Sequence, residues 1–296
     1  MTRLGIMEMQ ISSLIASGSD SKNPVEAIRS FDRGILITGL AQEGFKLIEL
    51  GGDLGLFFPS AFDSKNIQRL LALKHELGLS YTLHLPLWSV EPSTPLEPVR
   101  MGSVQAIEDV INAARPLAPE VYVLHATGAL AAEFYQMDLP ENVKPLVIRQ
   151  FQSGAINSIK TILERSGIPS RKLAIETIEF PFETTLEIAE LLDLSICLDT
   201  GHVLAGFSGA ISLEDALVAC SHRLAEIHLH DSPNFLETGQ LAYGKDHQAL
   251  GMGTLDTNLL FQFINQQNFT GPVIFELTVE EAKLSIDFLR ESGDIL

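Results

Sequence analysis

The sequence is poor in three things: cysteine, clustered basic residues and long apolar runs. Two cysteines, Cys197 and Cys220, build no disulfide framework and suit a reducing compartment. No basic run is longer than Arg171-Lys172, and 38 acidic side chains against 20 basic ones leave a net charge of −18. Such a surface repels nucleic acid and anionic membranes, so neither is expected as a partner. No segment stays apolar over the ~20 residues that a membrane helix needs. Glu8 and Gln10 interrupt the stretch a signal peptide would keep apolar, which makes the cytoplasm the expected location.

What is present suffices for one large core. The chain has 296 residues, 46% hydrophobic and 20% charged, and barrels commonly take about 250 residues as one domain. Candidate strands are Leu4–Met7, Phe45–Leu50, Tyr81–Leu85, Glu120–Leu124, Lys172–Thr177, Ser195–Leu198, Ala225–Leu229 and Pro272–Leu277, each short, aliphatic or aromatic, and followed by polar sequence. Amphipathic patterns lie between them, as in Asn66–Leu77 and Thr184–Leu192. Gly78 and Gly167 close helices, and Asp256-Thr257 opens the Leu259–Gln267 helix. Strand and helix alternate throughout, which predicts an α/β fold, a closed (β/α)8 (TIM) barrel forming a single domain over residues 1–296. A stiff Pro86–Pro98 loop carrying Trp88 and a flexible Phe235–Gly244 loop would overhang one mouth.

Metal-binding residue types recur at or just past the strand ends. They are His84, His125, Glu176, Asp199 with His202, His228 with His230, and Glu276, with Asp246-His247 in a Gly-flanked loop. Donors placed one per strand end predict a single site at the C-terminal mouth of the barrel. Side chains alternate along a strand, so His228 and His230 share a face, as do Ala174 with Glu176 and Cys197 with Asp199. His75 and His222 fall inside helical patterns and read as surface residues, while Cys197 reads as a small core residue. Glu49 could touch substrate or act through a neighbour's hydrogen bond. Arg100 and Lys245 could hold a phosphate or simply be solvated.

Imidazole combined with carboxylate favours zinc, manganese, iron or cobalt over calcium, with Zn2+ or Mn2+ expected here. His84, His125, Glu176, Asp199, His202, His228, His247 and Glu276 exceed the needs of one tetrahedral ion, so one to three ions are expected. Several ions suit phosphoester hydrolysis, through an activated water and neutralised phosphoryl oxygens. One ion flanked by Glu176 and Glu276 suits a different reaction, relaying a proton between the faces of a sugar carbon.

These residues resemble the xylose isomerase-like barrel superfamily, which includes the endonuclease IV group of apurinic endonucleases and many sugar isomerases and epimerases. The resemblance runs from Phe45 to Glu276. Its most specific part is Cys197-Leu198-Asp199-Thr200-Gly201-His202, similar to the endonuclease IV Asp-Thr-x-His strand end. Next comes His228-Leu229-His230-Asp231, a His-x-x-Asp pattern whose first His is the ligand. The resemblance implies that the eight donors above are metal ligands, with Glu176 bridging. It departs at Lys245-Asp246-His247, where the family places Asp at the position of Lys245. Either the displaced Asp246 substitutes, or the third ion is weakened or lost. The Trp88 loop and the overall length also resemble the cobamide-remodelling phosphodiesterases of this superfamily.

The main expectation is therefore a metal-dependent phosphoester hydrolase acting on a small phosphorylated molecule, with Glu176 and Glu276 as catalytic residues. The alternative is a sugar or sugar-phosphate isomerase or epimerase using one ion and the same two glutamates. Trp88, His230, Lys245 and Asp246 are the candidate substrate contacts. A DNA repair endonuclease is disfavoured by charge and a catalytically dead barrel by the number of donors retained. Homo-oligomerisation is left open.

Overall fold

A computed structural model of the chain describes residues 2–8, 32–137, 139–140 and 142–295. Eight parallel strands close on themselves in sequence order: β1 Arg3–Met7, β2 Leu47–Gly51, β3 Ser80–His84, β4 Tyr122–Leu124, β5 Leu173–Glu176, β6 Ser195–Asp199, β7 Leu224–Leu229 and β8 Pro272–Phe275. Strand β8 pairs with β1 from Arg3↔Pro272 to Ile6↔Phe275, so no sheet edge is left. This is the (β/α)8 barrel that the alternating pattern predicts. Among the described residues, no helix is long and apolar enough to cross a membrane.

The strand limits differ from the sequence reading by one or two residues, because cross-strand register sets them. β2 begins at Leu47 rather than Phe45, paired from Leu47↔Ser80 to Gly51↔His84. Thr177 and Leu277 lie past their strands. Glu120 precedes β4 and takes Arg3 in a two-pronged ion pair of 2.7 and 2.8 Å. The Pro86–Pro98 loop ends early, where the helix Glu97–Ala114 begins, and the Phe235–Gly244 loop contains a helical turn over Phe235–Thr238. His222 sits in a turn rather than a helix, and both it and His75 are exposed.

Local chemistry explains the helix limits. The Asp63 carboxylate accepts the Asn66 N–H at 2.8 Å to open helix Ser64–Leu77, and Gly78, at φ +66°, closes it in a conformation that a side chain would strain. Asp256 accepts the Leu259 N–H at 2.9 Å ahead of Thr257–Gln266. The last helix, Val279–Ser292, opens on a reciprocal Thr278/Glu281 capping box.

Two cores result. Helix faces such as Ile107 and Ile111 pack on the outside of the barrel with no exposure, each stabilising by roughly 1.5–3 kcal/mol. Inside, Val121, Val123, Ala174 and Cys197 form a narrow apolar cluster. The same interior also holds fully buried polar side chains, Glu49, Thr82 and Glu226. β6 carries a register shift between Ile196 and Cys197, after which Asp199 lies beside His228.

Candidate metal centre

Parallel strands of similar length bring their C-terminal residues to one level, and the eight expected donors converge there. Glu176 is the hub. Its Oε2 lies 3.1 Å from His84 Nε2 and 2.9 Å from His125 Nε2, and its Oε1 lies 3.0 Å from His202 Nδ1 and 3.7 Å from His228 Nδ1. His228 Nδ1 is also 3.7 Å from Asp199 Oδ2 and 3.3 Å from Glu276 Oε1. His247 Nε2 reaches Glu276 Oε2 at 3.1 Å. Three overlapping donor sets follow: His84, His125 and Glu176; Glu176, Asp199, His202 and Glu276; and His202, His230, His247 and Glu276.

The second nitrogen of most of these imidazoles is also engaged. His84 Nδ1 donates to the Leu85 carbonyl at 2.9 Å, and His125 Nδ1 faces Glu179 at 3.4 Å. His228 Nε2 faces Glu49 at 3.1 Å, and His247 Nδ1 faces Asp246 at 2.8 Å. His84 and His247, fixed at one nitrogen by an acceptor and turned inward at the other, have the orientation of metal-ligating histidines, whereas His125 Nδ1 and His228 Nε2 lie beside their glutamates without a formed hydrogen bond. Glu176 Oε1, His202 Nδ1 and His228 Nδ1 are buried at the centre without a well-formed hydrogen bond. Buried polar atoms lacking partners are costly, and a divalent cation would satisfy Glu176 and His202, which share a donor set. The residues present therefore fit a metal ion.

Electrostatics point the same way. Burial pushes the Glu176 carboxyl up, but the imidazoles of His125, His228 and His202 outweigh it and hold the group well below the usual carboxylate range. Against burial and the charge of Glu176, His228 and His247 hold Glu276 at about 2. Burial lowers the His247 imidazole, yet Asp246 and Glu276 raise it to about 11. The donors thus form a paired network of carboxylates and imidazoliums that a divalent ion would enter by displacing protons.

The loop after β7 carries His247 and is fixed by Asp231. The Asp231 carboxylate is fully buried and accepts four backbone N–H groups, from Ser232 and Leu255 at 2.8 Å, Gly253 at 2.9 Å and Gly251 at 3.0 Å. A side chain at Gly253 would stand 2.4 Å from Asp231 Oδ1, so the approach requires glycine. The loop turns Lys245 outward, exposed and away from the cavity lining. The displaced Asp246 faces inward instead, with Oδ2 3.6 Å from His202 Nε2.

Above the donors opens a cavity of about 610 Å³, walled by His84, His125, Glu176, His202, His247 and Glu276 on its floor. Trp88 lies on its rim, 48% exposed. His230 does not line the cavity: it is fully buried and meets Asp199 Oδ2 at 2.7 Å. Gly201 makes room for it, since a Cβ there would fall 2.1 Å from His230 Nδ1. Arg100 is also away from the lining, and Glu49 acts on His228 rather than on the cavity.

Several residues escape the sequence reading. Glu8 lines the cavity just past β1, where the strand-end rule would have found it, and binds Arg33 at 2.5 and 2.9 Å. Glu179, Phe207 and Asp53 also line it, but nothing in their local sequence marks them. Glu226 is fully buried within the barrel, and burial together with Glu49 raises its carboxyl well above the usual range. Its inward face was legible from its parity with His228.

The family model described as xylose isomerase-like TIM barrel matches residues 37–292. Uncharacterized protein MJ1614 of Methanocaldococcus jannaschii is 26% identical over 259 residues, covering 85% of this chain and 90% of that protein. The probable endonuclease 4 of Mycobacterium leprae is 36% identical, but over 99 residues, 33% of this chain and 36% of that protein. Among solved structures, the crystal structure of a D-tagatose 3-epimerase-like protein superposes with a TM-score of 0.71 at 20% identity, covering 99% of this chain and 97% of that one.

Proposed function

The chain belongs to the xylose isomerase-like TIM barrel family, and we propose that within it this protein is a divalent-metal-dependent sugar isomerase or epimerase. The observation that carries this reading is the placement of both Glu176 and Glu276 beside His228 Nδ1, 3.7 and 3.3 Å away, beneath a cavity without lysine or arginine among its described lining residues. Glu176, Asp199, His228 and Glu276 would hold one ion, and zinc or manganese suits their nitrogen and oxygen donors. Once bound, the ion would supply positive charge to the hydroxyl and carbonyl oxygens of the substrate.

The residues supply the rest. One glutamate removes the proton from the carbon beside the substrate carbonyl, and the other returns a proton to the opposite face. His228, held by Glu49, fixes the distance between them. Burial of both carboxylates, 1% and 5% exposed, keeps bulk water off the reacting carbon, so protons pass through these two groups, which equilibrate with solvent between turnovers. The name of the epimerase-like neighbour agrees with this reaction class, and the acidic lining favours an uncharged sugar over a phosphorylated one.

A second reading, phosphoester hydrolysis across two or more ions, is favoured by one observation. His84 and His125, which join Glu176 in a further donor set, lie outside the four donors that an isomerase needs. The test is solvent exchange. Protein loaded with manganese or zinc and incubated with a panel of free ketoses and ring-keto glycosides in deuterium oxide should place deuterium beside the carbonyl of at least one, and should stop with chelator or with Glu276→Gln. Hydrolysis of bis-nitrophenyl phosphate, with no exchange in any of these sugars, would hand the assignment to the second reading.

A further inference from the structure

The metal donors occupy only the floor of the cavity, and its rim has a different chemistry. At 610 Å³ the cavity lies inside the roughly 300–1,000 Å³ range of sites that take drug-sized ligands, more than a bare hexose of about twelve non-hydrogen atoms needs. The surplus space lies against Leu54, Phe57, Leu87 and Trp88, which come from the loops after β2 and β3. Phe57 and Trp88 are 40% and 48% exposed and meet edge to face, ring centres 5.8 Å apart at 81°. Large apolar side chains left open to solvent beside a polar site mark a surface built to be covered.

These loops are fixed before any ligand arrives. Asp53 Oδ2 accepts the Leu87 N–H at 2.9 Å, and the Gly52 N–H donates to the His84 carbonyl at 2.7 Å. A Cβ at Gly52 would lie 2.7 Å from Pro86, so the two backbones pack directly against each other. The aromatic pair therefore stands on the same structure that places His84. Across the mouth, Phe207 stacks on Tyr243 at 5.0 Å and 24°, and Phe207 also lines the cavity.

Charge limits what can fill the space. No lysine or arginine is among the described lining residues, while Glu8, Asp53, Glu179 and Asp246 are. No lysine or arginine would hold an anionic appendage there, and a strongly polar one would leave water bonds unreplaced against the aromatic pair.

We propose that the rim formed by Leu54, Phe57, Leu87 and Trp88 is a subsite for an uncharged aromatic or branched apolar aglycone, so that the substrate is a sugar bearing such a group rather than a free monosaccharide. The inference rests on the proposed reaction class for its sugar portion. An aglycone on the anomeric carbon keeps the ring closed, so the carbonyl beside the transferred proton is a ring ketone. Oxidation of a ring hydroxyl is then the class of reaction that supplies the substrate.

Trp88 is the single tryptophan of the chain, so its emission reports directly on the rim. Metal-loaded protein is titrated with phenyl and methyl glycosides of glucose, galactose and xylose, following Trp88 fluorescence and binding heat. The expected result is a phenyl glycoside bound at least tenfold tighter than its methyl counterpart, with a change in Trp88 emission. Phe57→Ala should cut that advantage to about twofold with metal content per chain unchanged, and Trp88→Ala should do the same by calorimetry. Equal affinity of the phenyl and methyl pairs, an advantage untouched by both variants, or no binding by any of the six would overturn the subsite. Deuterium exchange in free ketoses with no phenyl advantage refutes the subsite and leaves the reaction class standing. A phenyl advantage without exchange in any keto sugar leaves the subsite standing and removes the reaction class.

Discussion

Replacing Asp231 with alanine tests whether the His247 loop is held by one buried carboxylate. Asp231 accepts four backbone N–H groups at 2.8–3.0 Å, and hydrogen bonds to a charged acceptor each contribute about 1.5–3 kcal/mol. The four losses do not simply add. Gly251 is exposed and Gly253 partly so, and water can replace the carboxylate there. Ser232 and Leu255 are buried, and their N–H groups would go unpaired at about 1–3 kcal/mol each. The expected destabilisation is therefore about 4 kcal/mol, at the upper end for one substitution. A protein of this size should show it as a fall of roughly 8–16 °C in Tm. Asp231→Asn keeps the shape but turns an amide N–H₂ toward backbone donors, so it should cost at least about 2 kcal/mol. Urea unfolding of metal-free protein reads the energy, and elemental analysis of the folded variants should show weaker metal retention, because His247 buttresses Glu276 at 3.1 Å. If both variants stay within about 1 kcal/mol of the parent, the four contacts do not hold the loop and the reasoning fails.

Other outcomes follow from the same geometry. Glu176→Gln removes the hub carboxylate that His84, His125 and His202 approach, so it should lower metal affinity more than the roughly 10–100-fold typical of an outer-shell change while circular dichroism stays unchanged. Metal affinity should rise with pH: burial lowers the His228 imidazole, but Cys197, Glu276, Glu49 and Glu176 raise it well above its ordinary range, and an ion bound at Nδ1 must expel a proton. A metal affinity flat across neutral pH would contradict this. The metal-free fold has the opposite dependence, because the raised His247 contributes stability that is full below its unfolded value of about 6.5 and is lost as pH climbs toward about 11; thermal melts across that range check it. Abasic duplex DNA should be neither bound nor cut at physiological salt, given a net charge of −18 and no lysine or arginine among the described lining residues; gel-shift and nicking assays decide.

Local sequence was enough for the barrel and for most of its mouth. Strands such as Leu173–Glu176 and Pro272–Phe275 are short aliphatic runs, and alternation with amphipathic helices leaves one economical closure. Donor residues at strand ends were legible because a parallel barrel puts all those ends at one level, so position along the chain translates into position in space. Tertiary structure alone decided the rest. Strand limits moved because register depends on the neighbour, as in the Leu47↔Ser80 pairing that opens β2. His230 left the list of cavity residues because Gly201, on another strand end, leaves a hollow that takes its ring. Asp246 faces His202, and Lys245 faces solvent, because three N–H groups of the turn over residues 251–255 close on Asp231. Phe57 and Trp88 meet only because Asp53 ties the loop after β3 to the loop after β2. Each of these depends on a distance between residues far apart in sequence, which neither periodicity nor spacing encodes.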